Sequence, residues 1–284
     1  MTIEQAKTIL GDPFYETSGI LVYNMDCREG LVKLANQNFI FDTTITSPPY
    51  NIGKEYESNM SVDNYISWLT NIIGLTHDVT KDNGALLLNV GYLKMKNIAR
   101  AIPIPYLIWD KIKFYLVQEI IWKYGAGVAC KRYLSPRNEK VLWYIKNELD
   151  YTFNLDPIRD KDVKYPNQKK NGRLRCNPLG KNPSDVWEIR KVTSGKNRSS
   201  KERMPHPAQF PEELITRCML AFSNKNEIIL DPFMGSGTTA AVALRNGRQC
   251  IGFEISELYC NTIVERLENV LKVLEINEMS PQLF

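Results

Sequence analysis

The sequence predicts an α/β fold in which helices cover both faces of a mostly parallel sheet. Two observations lead to this fold class. Apolar runs of strand length alternate with helical patterns over much of the 284-residue chain. Near the C-terminus, the apolar strand Glu227–Leu230 is followed by a glycine turn, a helix and a second strand. Such alternation is typical of parallel sheets, because each crossover helix packs on one face of the sheet.

The first block, residues 1–150, contains most of the predicted strands. They lie at residues 19–24, 39–46, 84–90, 117–123 and 140–145. The apolar period of residues 62–79 predicts an amphipathic helix. A second helix is predicted over residues 98–114, with Pro103 and Pro105 near its start or at a break.

The middle block, residues 151–203, contains four prolines and three glycines, which predicts a loop-rich insert with little core of its own. Residues 156–203 carry 14 Lys and Arg against 6 Asp and Glu, whereas the net charge of the whole chain is only +4. The rest of the chain is therefore net acidic. A basic excess confined to one segment is typical of a nucleic-acid contact surface, although a solvated basic loop has the same composition.

The last block, residues 204–284, resumes the alternation. Its predicted helices cover residues 210–223, 238–246 and 257–274, and its predicted strands cover 227–230 and 249–253. Pro211 introduces the first of these helices, and Gly247 ends the second as a C-cap.

The glycine turn lies in the run IILDPFMGSGTTAAVAL, residues 228–244. The strand ends at Asp231, and Gly235 and Gly237 precede the next helix. Glycines let the backbone approach a ligand, and the free N–H groups of a helix N-terminus attract anions. Glu254 ends the following strand, where a carboxylate can bind both ribose hydroxyls of an adenosine cofactor.

The turn does not match two other kinds of nucleotide-binding motif. No Gly-Lys-Ser/Thr follows it, so it is not a phosphate loop. Ala240 stands where a dinucleotide fingerprint has its third glycine. The turn therefore predicts an adenosine-bearing ligand other than a nucleoside triphosphate.

A second motif lies in TITSPPYNIGKEYE, residues 44–57. The strand delivers Ser47, Pro48, Pro49 and Tyr50 to its carboxyl end, where open α/β sheets bind ligands. The prolines have no N–H, so the carbonyls before them remain acceptors beside the tyrosine ring. Rigid acceptors next to an aromatic face suit a planar base with an amino group, although Pro-Pro-Tyr alone is also a common turn.

Together with the run HPAQFP, residues 206–211, these motifs resemble those of DNA amino-methyltransferases. Their order, with Ser-Pro-Pro-Tyr first, then a basic insert and then Asp-Pro-Phe-x-Gly-x-Gly-Thr, resembles the beta class. The resemblance covers nearly the whole chain. It implies a Rossmann-like, S-adenosylmethionine-dependent methyltransferase fold with three regions. Residues 1–150 would be the catalytic half, 151–203 the target-recognition region, and 204–284 the cofactor-binding half.

The resemblance also assigns roles to residues by position. The flipped base would be held by Ser47, Pro48, Pro49 and Tyr50. The cofactor would be bound by Asp26, His206, Phe210, Asp231, Phe233, Gly235, Ser236, Gly237, Thr238 and Glu254. Among these, Asp26 would lie near the adenine and Glu254 would bind the ribose.

Double-stranded DNA would be the substrate. Phosphate contacts are predicted for Lys131, Arg132, Arg137, Lys169, Lys170, Arg173 and Arg175, although ordinary surface charges would give the same pattern. Trp187, inside the insert, is a further candidate for stacking on a base.

The residue types narrow the chemistry. Methylation at C5 of cytosine requires a cysteine nucleophile, which in that class follows a proline, and none of the six cysteines here does. Only two histidines and no C-x2-C pair are present, so no metal site is predicted. Among relatives, Ser before Pro-Pro-Tyr usually goes with N4 of cytosine, and Asp or Asn with N6 of adenine. Ser47 therefore favours N4 of cytosine, and N6 of adenine is the alternative.

Three other classes explain part of the sequence. An NAD-dependent oxidoreductase would account for the glycine turn and Glu254, but not for the proline motif. A non-catalytic DNA-binding protein would account only for the basic insert. A small-molecule or RNA amino-methyltransferase would keep both motifs, and only the insert argues against it.

We therefore predict a site-specific DNA methyltransferase of a restriction–modification system, with a cognate restriction endonuclease as its functional partner. No apolar run approaches the roughly 20 residues of a membrane helix. The N-terminal run MTIEQAK does not resemble a signal peptide, so we expect a cytoplasmic protein.

Overall fold

The computed structural model describes residues 1–51, 60–94, 101–127, 129–131, 134–194 and 200–279. The helices are α1 (Ile3–Leu10), α2 (Cys27–Asn36), α3 (Val62–Asp78), α4 (Ile104–Ile108), α5 (Glu212–Phe222), α6 (Thr238–Arg245) and α7 (Glu257–Met279). Among the helices of these ranges, none is both long and apolar enough to cross a membrane.

Thirteen strands are described within these ranges. The first seven are β1 (Tyr15–Thr17), β2 (Ile20–Tyr23), β3 (Phe41–Thr46), β4 (Thr80–Val90), β5 (Tyr92–Lys94), β6 (Ala101–Pro103) and β7 (Tyr115–Lys123). The others are β8 (Asn138–Ile145), β9 (Lys169–Lys170), β10 (Arg173–Leu174), β11 (Val186–Glu188), β12 (Ile228–Asp231) and β13 (Gln249–Phe253).

Nine strands form one sheet, in the order β1-β2-β13-β12-β3-β4-β8-β7-β11. The five strands from β2 to β4 in this order are mutually parallel. Strand β8 runs antiparallel between β4 and β7. The predicted mostly parallel α/β sheet is therefore confirmed.

Helices cover both faces of the sheet. In β2, Ile20 and Val22 pack into the cluster formed with α5, α6 and α7, and Leu21 and Tyr23 pack into the cluster formed with α1 and α2. All four side chains are buried. This two-sided burial explains why β2 is continuously apolar and does not alternate with polar residues.

The two sequence motifs follow adjacent strands. Ile229 of β12 pairs with Thr43 of β3, and Leu230 pairs with Thr44. From β12 the chain passes through α6 to β13 on one side, and from β3 it passes through α3 to β4 on the other. Because the connections leave in opposite directions, the topology predicts a crevice at the carboxyl ends of β12 and β3, where open α/β sheets bind ligands.

The helix predicted over residues 98–114 is wrong in its described part. Residues 101–103 form β6, and only the five residues of α4 are helical. Pro103 is the N-cap and Pro105 lies in the first turn of α4. Proline is tolerated at a helix start but removes a donor from a helix interior, so the helix cannot continue back through these positions. Residues 98–100 lie outside the described part of the chain.

The insert, residues 151–203, contains more structure than predicted. Strand β11 pairs in parallel with β7 at the edge of the large sheet. Trp187 of β11 is only 4% exposed, and its indole N–H donates to the Ser184 carbonyl at 2.9 Å. The prediction that Trp187 stacks on a base is therefore wrong, because the ring belongs to the hydrophobic core.

Helix α1 and strand β1, near the N-terminus, were also not predicted.

Candidate functional site

A hydrogen bond between the ends of β12 and β3 lies at the centre of the crevice. Thr46 Oγ1 donates to Asp231 Oδ1 at 2.6 Å, and both side chains are buried. The same carboxylate oxygen accepts the backbone N–H of Phe233 at 3.1 Å. Asp231 therefore fixes both the neighbouring strand and the first residues of the glycine turn, although Thr46 lies 185 residues away in sequence.

The second oxygen of Asp231 points to a ligand. Asp231 is 0% exposed, and Oδ2 accepts no hydrogen bond of ordinary geometry among the described residues, although the Thr239 hydroxyl lies close enough to favour the ionised carboxylate. Burial raises the pKa of this carboxyl to about 6, so it is mainly ionised at neutral pH. A buried carboxylate oxygen without a partner is costly, and a donor or cation on a ligand would satisfy it.

The glycine turn depends on two residues with left-handed backbone conformation. Gly235 and Gly237 have φ values of +50° and +72°, in the left-handed region that favours glycine. A Cβ on Gly235 would lie 3.1 Å from the His206 ring. The Gly235 N–H donates to Glu254 Oε2 at 2.9 Å. The turn is thus fixed against the end of the next strand, and α6 begins directly after it.

Glu254 already has two backbone partners. Besides Gly235, the Ser256 N–H donates to Glu254 Oε1 at 2.9 Å. Burial raises the pKa of Glu254, which these bonds partly counter. Each carboxylate oxygen can accept a further hydrogen bond, so Glu254 can still bind ribose hydroxyls. Its binding of a ribose remains a prediction.

The HPAQFP run packs beside this turn. The His206 ring lies edge-on to the Tyr259 ring, with centroids 4.5 Å apart. Burial lowers the pKa of His206 to about 4, so its imidazole is neutral at physiological pH. The Phe210 carbonyl lies 3.5 Å from Thr238 Oγ1. His206 and Phe210 therefore both lie beside the predicted cofactor turn.

Arg266 connects the glycine turn to the start of α5, and the sequence did not predict this role. It lies on α7 and is 4% exposed. Its Nη1 donates to the Ser236 carbonyl at 3.1 Å and to Thr238 Oγ1 at 3.0 Å. Its Nη2 donates to Glu212 Oε1 at 2.7 Å, at the start of α5. An arginine in an amphipathic helix is usually a surface charge, so the sequence carries no signal for this role.

Asp26 lies at the same edge of the sheet, after β2. It is the N-cap of α2, accepts the Arg28 N–H at 2.9 Å and pairs with the Arg28 guanidinium. The Arg28 side chain lowers the pKa of this carboxyl. Nearby, Asn24 Nδ2 donates to the Glu254 carbonyl at 3.0 Å. The end of β2 is thus joined to the end of β13, and contact of Asp26 with an adenine remains a prediction.

The Ser-Pro-Pro-Tyr turn is held by two neighbouring elements. The Tyr65 hydroxyl on α3 donates to the Pro49 carbonyl at 2.9 Å. After β4, a Cβ on Gly91 would lie 3.2 Å from the Tyr50 ring, so the ring packs on this glycine. Ser47 Oγ lies 3.2 Å from the Tyr50 hydroxyl. Pro48 is buried beneath the turn.

An aromatic row joins the two motifs. Trp68 on α3 lies 5.9 Å from the Tyr65 ring and 5.6 Å from the Phe233 ring. Tyr65 supports the proline turn, and Phe233 belongs to the glycine turn. Trp68 belongs to the apolar period of residues 62–79, but periodicity does not show which ring borders a site.

The predicted DNA contacts fall into two groups. In the first, Lys131 is exposed, Arg137 Nη1 donates to the Pro136 carbonyl at 2.8 Å, and Arg132 lies outside the described residues. The second group lies on the hairpin of β9 and β10, residues 168–175, where all positions are exposed. Lys170 stands directly opposite Arg173. Like charges in opposite positions destabilise a hairpin, so this arrangement favours a polyanionic partner.

The residues described hold no group of three or more His, Cys, Asp or Glu side chains placed to bind a metal ion.

A profile of a DNA methylase family matches residues 41–265, which include both motifs and the insert. The chain belongs to this DNA methylase family.

Two relatives of this methylase cover most of its length. Type II methyltransferase M.ScaI of Streptomyces caespitosus is 55% identical over 262 residues, which cover 92% of this chain and 86% of that protein. DNA adenine methyltransferase YhdJ of Escherichia coli strain K12 is 34% identical over 236 residues, which cover 80% of this chain and 76% of that protein.

Solved structures share the fold of the methylase. PvuII DNA methyltransferase (cytosine-N4-specific) superimposes with a TM-score of 0.69 at 20% identity, and the match covers 92% of this chain and 93% of that one. The complex of M1.HpyAVI with S-adenosylmethionine gives a TM-score of 0.59 at 24% identity, covering 87% and 98%. Fold and family together confirm a DNA methyltransferase with S-adenosylmethionine as cofactor.

The described residues fit that cofactor. The unsatisfied Oδ2 of Asp231 lies close to the glycine turn, where the left-handed backbone of Gly235 and Gly237 lets His206 and Ile263 pack closely, and Glu254 borders the same turn. The cofactor supplies an activated methyl group when bound. The chain must bind it, orient it and exclude water.

We expect Gly235→Ala to weaken S-adenosylmethionine binding at least tenfold, because the new methyl group would strain the left-handed backbone and press on the His206 ring. Isothermal titration calorimetry measures the affinity. Gly247→Ala is the matched control, since Gly247 also has a positive φ, of +66°, but nothing within 4 Å of its added Cβ. This control should lose about 1 kcal/mol of stability and keep its affinity. Equal affinities of the two variants would contradict the assignment of the turn.

Proposed function

We propose that this protein is a site-specific DNA methyltransferase that modifies the exocyclic N4 of a flipped cytosine. The observation that carries the proposal is Ser47 at the crevice, with its hydroxyl 3.2 Å from the Tyr50 hydroxyl. Serine is neutral, so it can orient an amino group and accept a hydrogen bond from it without acting as a strong base. Among enzymes that resemble this one, Ser before Pro-Pro-Tyr usually accompanies N4 of cytosine.

The crevice offers what amino methylation requires. An exocyclic amino nitrogen is a weak nucleophile, because its lone pair is delocalised into the ring. Hydrogen bonds from the amino group to Ser47 Oγ and to the Pro48 carbonyl would favour a pyramidal, more nucleophilic nitrogen. Alignment of this nitrogen with the methyl group is the main task of the site. The base must leave the duplex, and stacking on Tyr50 would offset part of a cost of a few kcal/mol.

N6 of adenine is the alternative target, because the relatives divide on this point. The name of PvuII DNA methyltransferase states cytosine N4, whereas that of YhdJ states adenine. Cytosine N4 and adenine N6 present similar edges to a hydroxyl and a carbonyl. The choice of cytosine therefore rests on Ser47.

We further propose that residues 151–203 form the target-recognition region, between a catalytic half and a cofactor-binding half. Its exposed hairpin carries Lys169, Lys170, Arg173 and Arg175, and among the described residues none of the four has an acidic partner within 4.0 Å. Contacts to phosphates position a protein on DNA, and other side chains of the insert would read base edges. A product methylated at a fixed sequence would protect DNA from a partner restriction endonuclease.

The identity of the base is tested by product analysis. Purified protein is incubated with DNA and S-adenosylmethionine, and the DNA is digested to nucleosides and separated by chromatography with mass detection. We expect N4-methylcytosine. N6-methyladenine without N4-methylcytosine would refute the proposed base. Ser47→Ala should lose most turnover and keep its cofactor affinity, because the hydroxyl is proposed to act on the base and not on the cofactor.

The hairpin is tested by the salt dependence of DNA binding. Replacing Lys169, Lys170, Arg173 and Arg175 by Ala should weaken binding and reduce the slope of log K against log salt by about 0.9 for each phosphate that the variant no longer neutralises. Lys225→Ala is the control, since Lys225 is an exposed lysine outside the insert, between α5 and β12. If the fourfold variant keeps the wild-type slope, the hairpin does not bind phosphates.

A further inference from the structure

A chain of side-chain oxygens leads away from the Ser-Pro-Pro-Tyr turn to a carboxylate on β8. Ser47 Oγ lies 3.2 Å from the Tyr50 hydroxyl, which lies 3.2 Å from Glu139 Oε2. Asn89, near the end of β4, places its Oδ1 3.2 Å from the same hydroxyl. Its amide nitrogen donates to the Lys140 carbonyl at 3.1 Å, so its oxygen faces Tyr50.

The far end of this chain has a cation and access to solvent. Lys191 Nζ lies 2.7 Å from Glu139 Oε1 and 3.9 Å from the centroid of the Tyr124 ring. The Tyr124 hydroxyl is 3.3 Å from the same carboxylate oxygen. The side chains of Glu139 and Lys191 are 17% and 21% exposed. Glu139 is therefore mostly buried, but part of its side chain is in contact with solvent.

The hydrogen bonds have a consistent direction. The Glu139 carboxylate and the two Asn89 oxygens only accept, so the single Tyr50 hydroxyl proton is directed towards this group of acceptors, and the Tyr50 oxygen can accept from Ser47. The lone pairs of Ser47 Oγ are then left for the amino group of a bound base. Burial and the negative charge of Glu139 raise the pKa of Tyr50 well above its ordinary value. Tyr50 therefore stays protonated and can pass a proton on without holding a charge.

We propose that Glu139 is the terminal proton acceptor of methyl transfer, reached from the target amino group through the hydroxyls of Ser47 and Tyr50. This inference rests on the proposed function and applies to either base. Glu139 does not touch the base, so it acts as a positioning residue. Lys191, which pairs with the carboxylate and orients it, belongs to residues 151–203, so the insert contributes directly to the catalytic end of the sheet.

The proton and electron balance of the step is complete. The amino nitrogen bonds to the methyl carbon as the carbon–sulfur bond breaks, and sulfur keeps the electron pair. The nitrogen then carries a surplus proton. This proton passes to Ser47 Oγ, the Ser47 proton passes to the Tyr50 oxygen, and the Tyr50 proton passes to Glu139 Oε2. Glu139 later returns the proton to water, so no other reactant is required.

The test is Glu139→Gln, which keeps the shape and the acceptor for Tyr50 but cannot take up a proton. Transfer of labelled methyl groups into DNA is measured in single turnover, so that product release does not hide the chemical step. Positioned acid–base groups contribute about 10²–10⁴-fold to a rate. We expect a fall of at least tenfold at neutral pH, with cofactor and DNA affinities within about twofold of wild type. The pH profile of the rate should also differ from that of wild type, because a glutamine at this position cannot take up a proton.

Glu119→Gln is the matched control. Glu119 lies on the neighbouring strand β7 and pairs with Lys140 at 2.6 Å, but it has no contact with the Ser-Pro-Pro-Tyr turn among the described hydrogen bonds. It should keep the wild-type rate and pH profile. Lys191→Met should lower the rate and change its pH profile, because the Glu139 carboxylate loses its cation partner.

The outcomes separate the relay from the proposed function. Wild-type protein that transfers no methyl group to DNA overturns the proposed function, and the relay with it, before any variant is measured. Methylation of adenine overturns only the proposed base. An active wild type with an unchanged rate and pH profile in Glu139→Gln overturns the relay alone. A slower Glu139→Gln with an unchanged pH profile gives Glu139 a structural role and also overturns the relay.

Discussion

The hydrogen bond from Thr46 to Asp231 is the contact on which the site depends, since it joins the two strand ends that carry the motifs. One oxygen of Asp231 is used for structure, and the other is left without a partner among the described residues. Burial of a carboxylate is unfavourable unless it is paired or hydrogen-bonded. The fold therefore keeps an energetically unfavourable buried carboxylate at the ends of β12 and β3, from which the chain connections leave in opposite directions. Such a cost is expected where a ligand completes the bonding.

The elements around this contact restrict the motion of the crevice. Arg266 ties the glycine turn to the start of α5, and Tyr65 ties the proline turn to α3. Loss of one partner from a buried ion pair typically costs about 3–5 kcal/mol, because a charge is left unpaired. A site for methyl transfer needs this rigidity, since small displacements of aligned atoms cost large factors in rate. The insert adds Lys191 on one side of the crevice and the exposed hairpin elsewhere.

Much of this arrangement followed from local sequence patterns, and the remainder did not, for physical reasons. The strand–glycine turn–helix run around Asp231 was predictable because glycine, strand period and helix start are all local signals. The strand at Val186–Glu188 was missed because three residues give no period, and its position is decided by pairing with β7. Arg266 and Glu139 were missed because their partners are distant in sequence. The helix predicted over 98–114 failed where two prolines act on the backbone.

The pH dependence of S-adenosylmethionine affinity, measured between pH 5 and 7, tests the role of Asp231 most directly. In this range the α-amino and α-carboxyl groups of the ligand do not change charge, and His206, with a pKa of about 4, stays neutral. Because the pKa of Asp231 is about 6 in the free protein, its ionised fraction, and with it the affinity, should fall about tenfold per pH unit below that value. Asp231→Asn should bind more weakly and show no such fall. A wild-type affinity that does not change with pH, or a fall that persists in Asp231→Asn and so belongs to Glu254, would contradict the account.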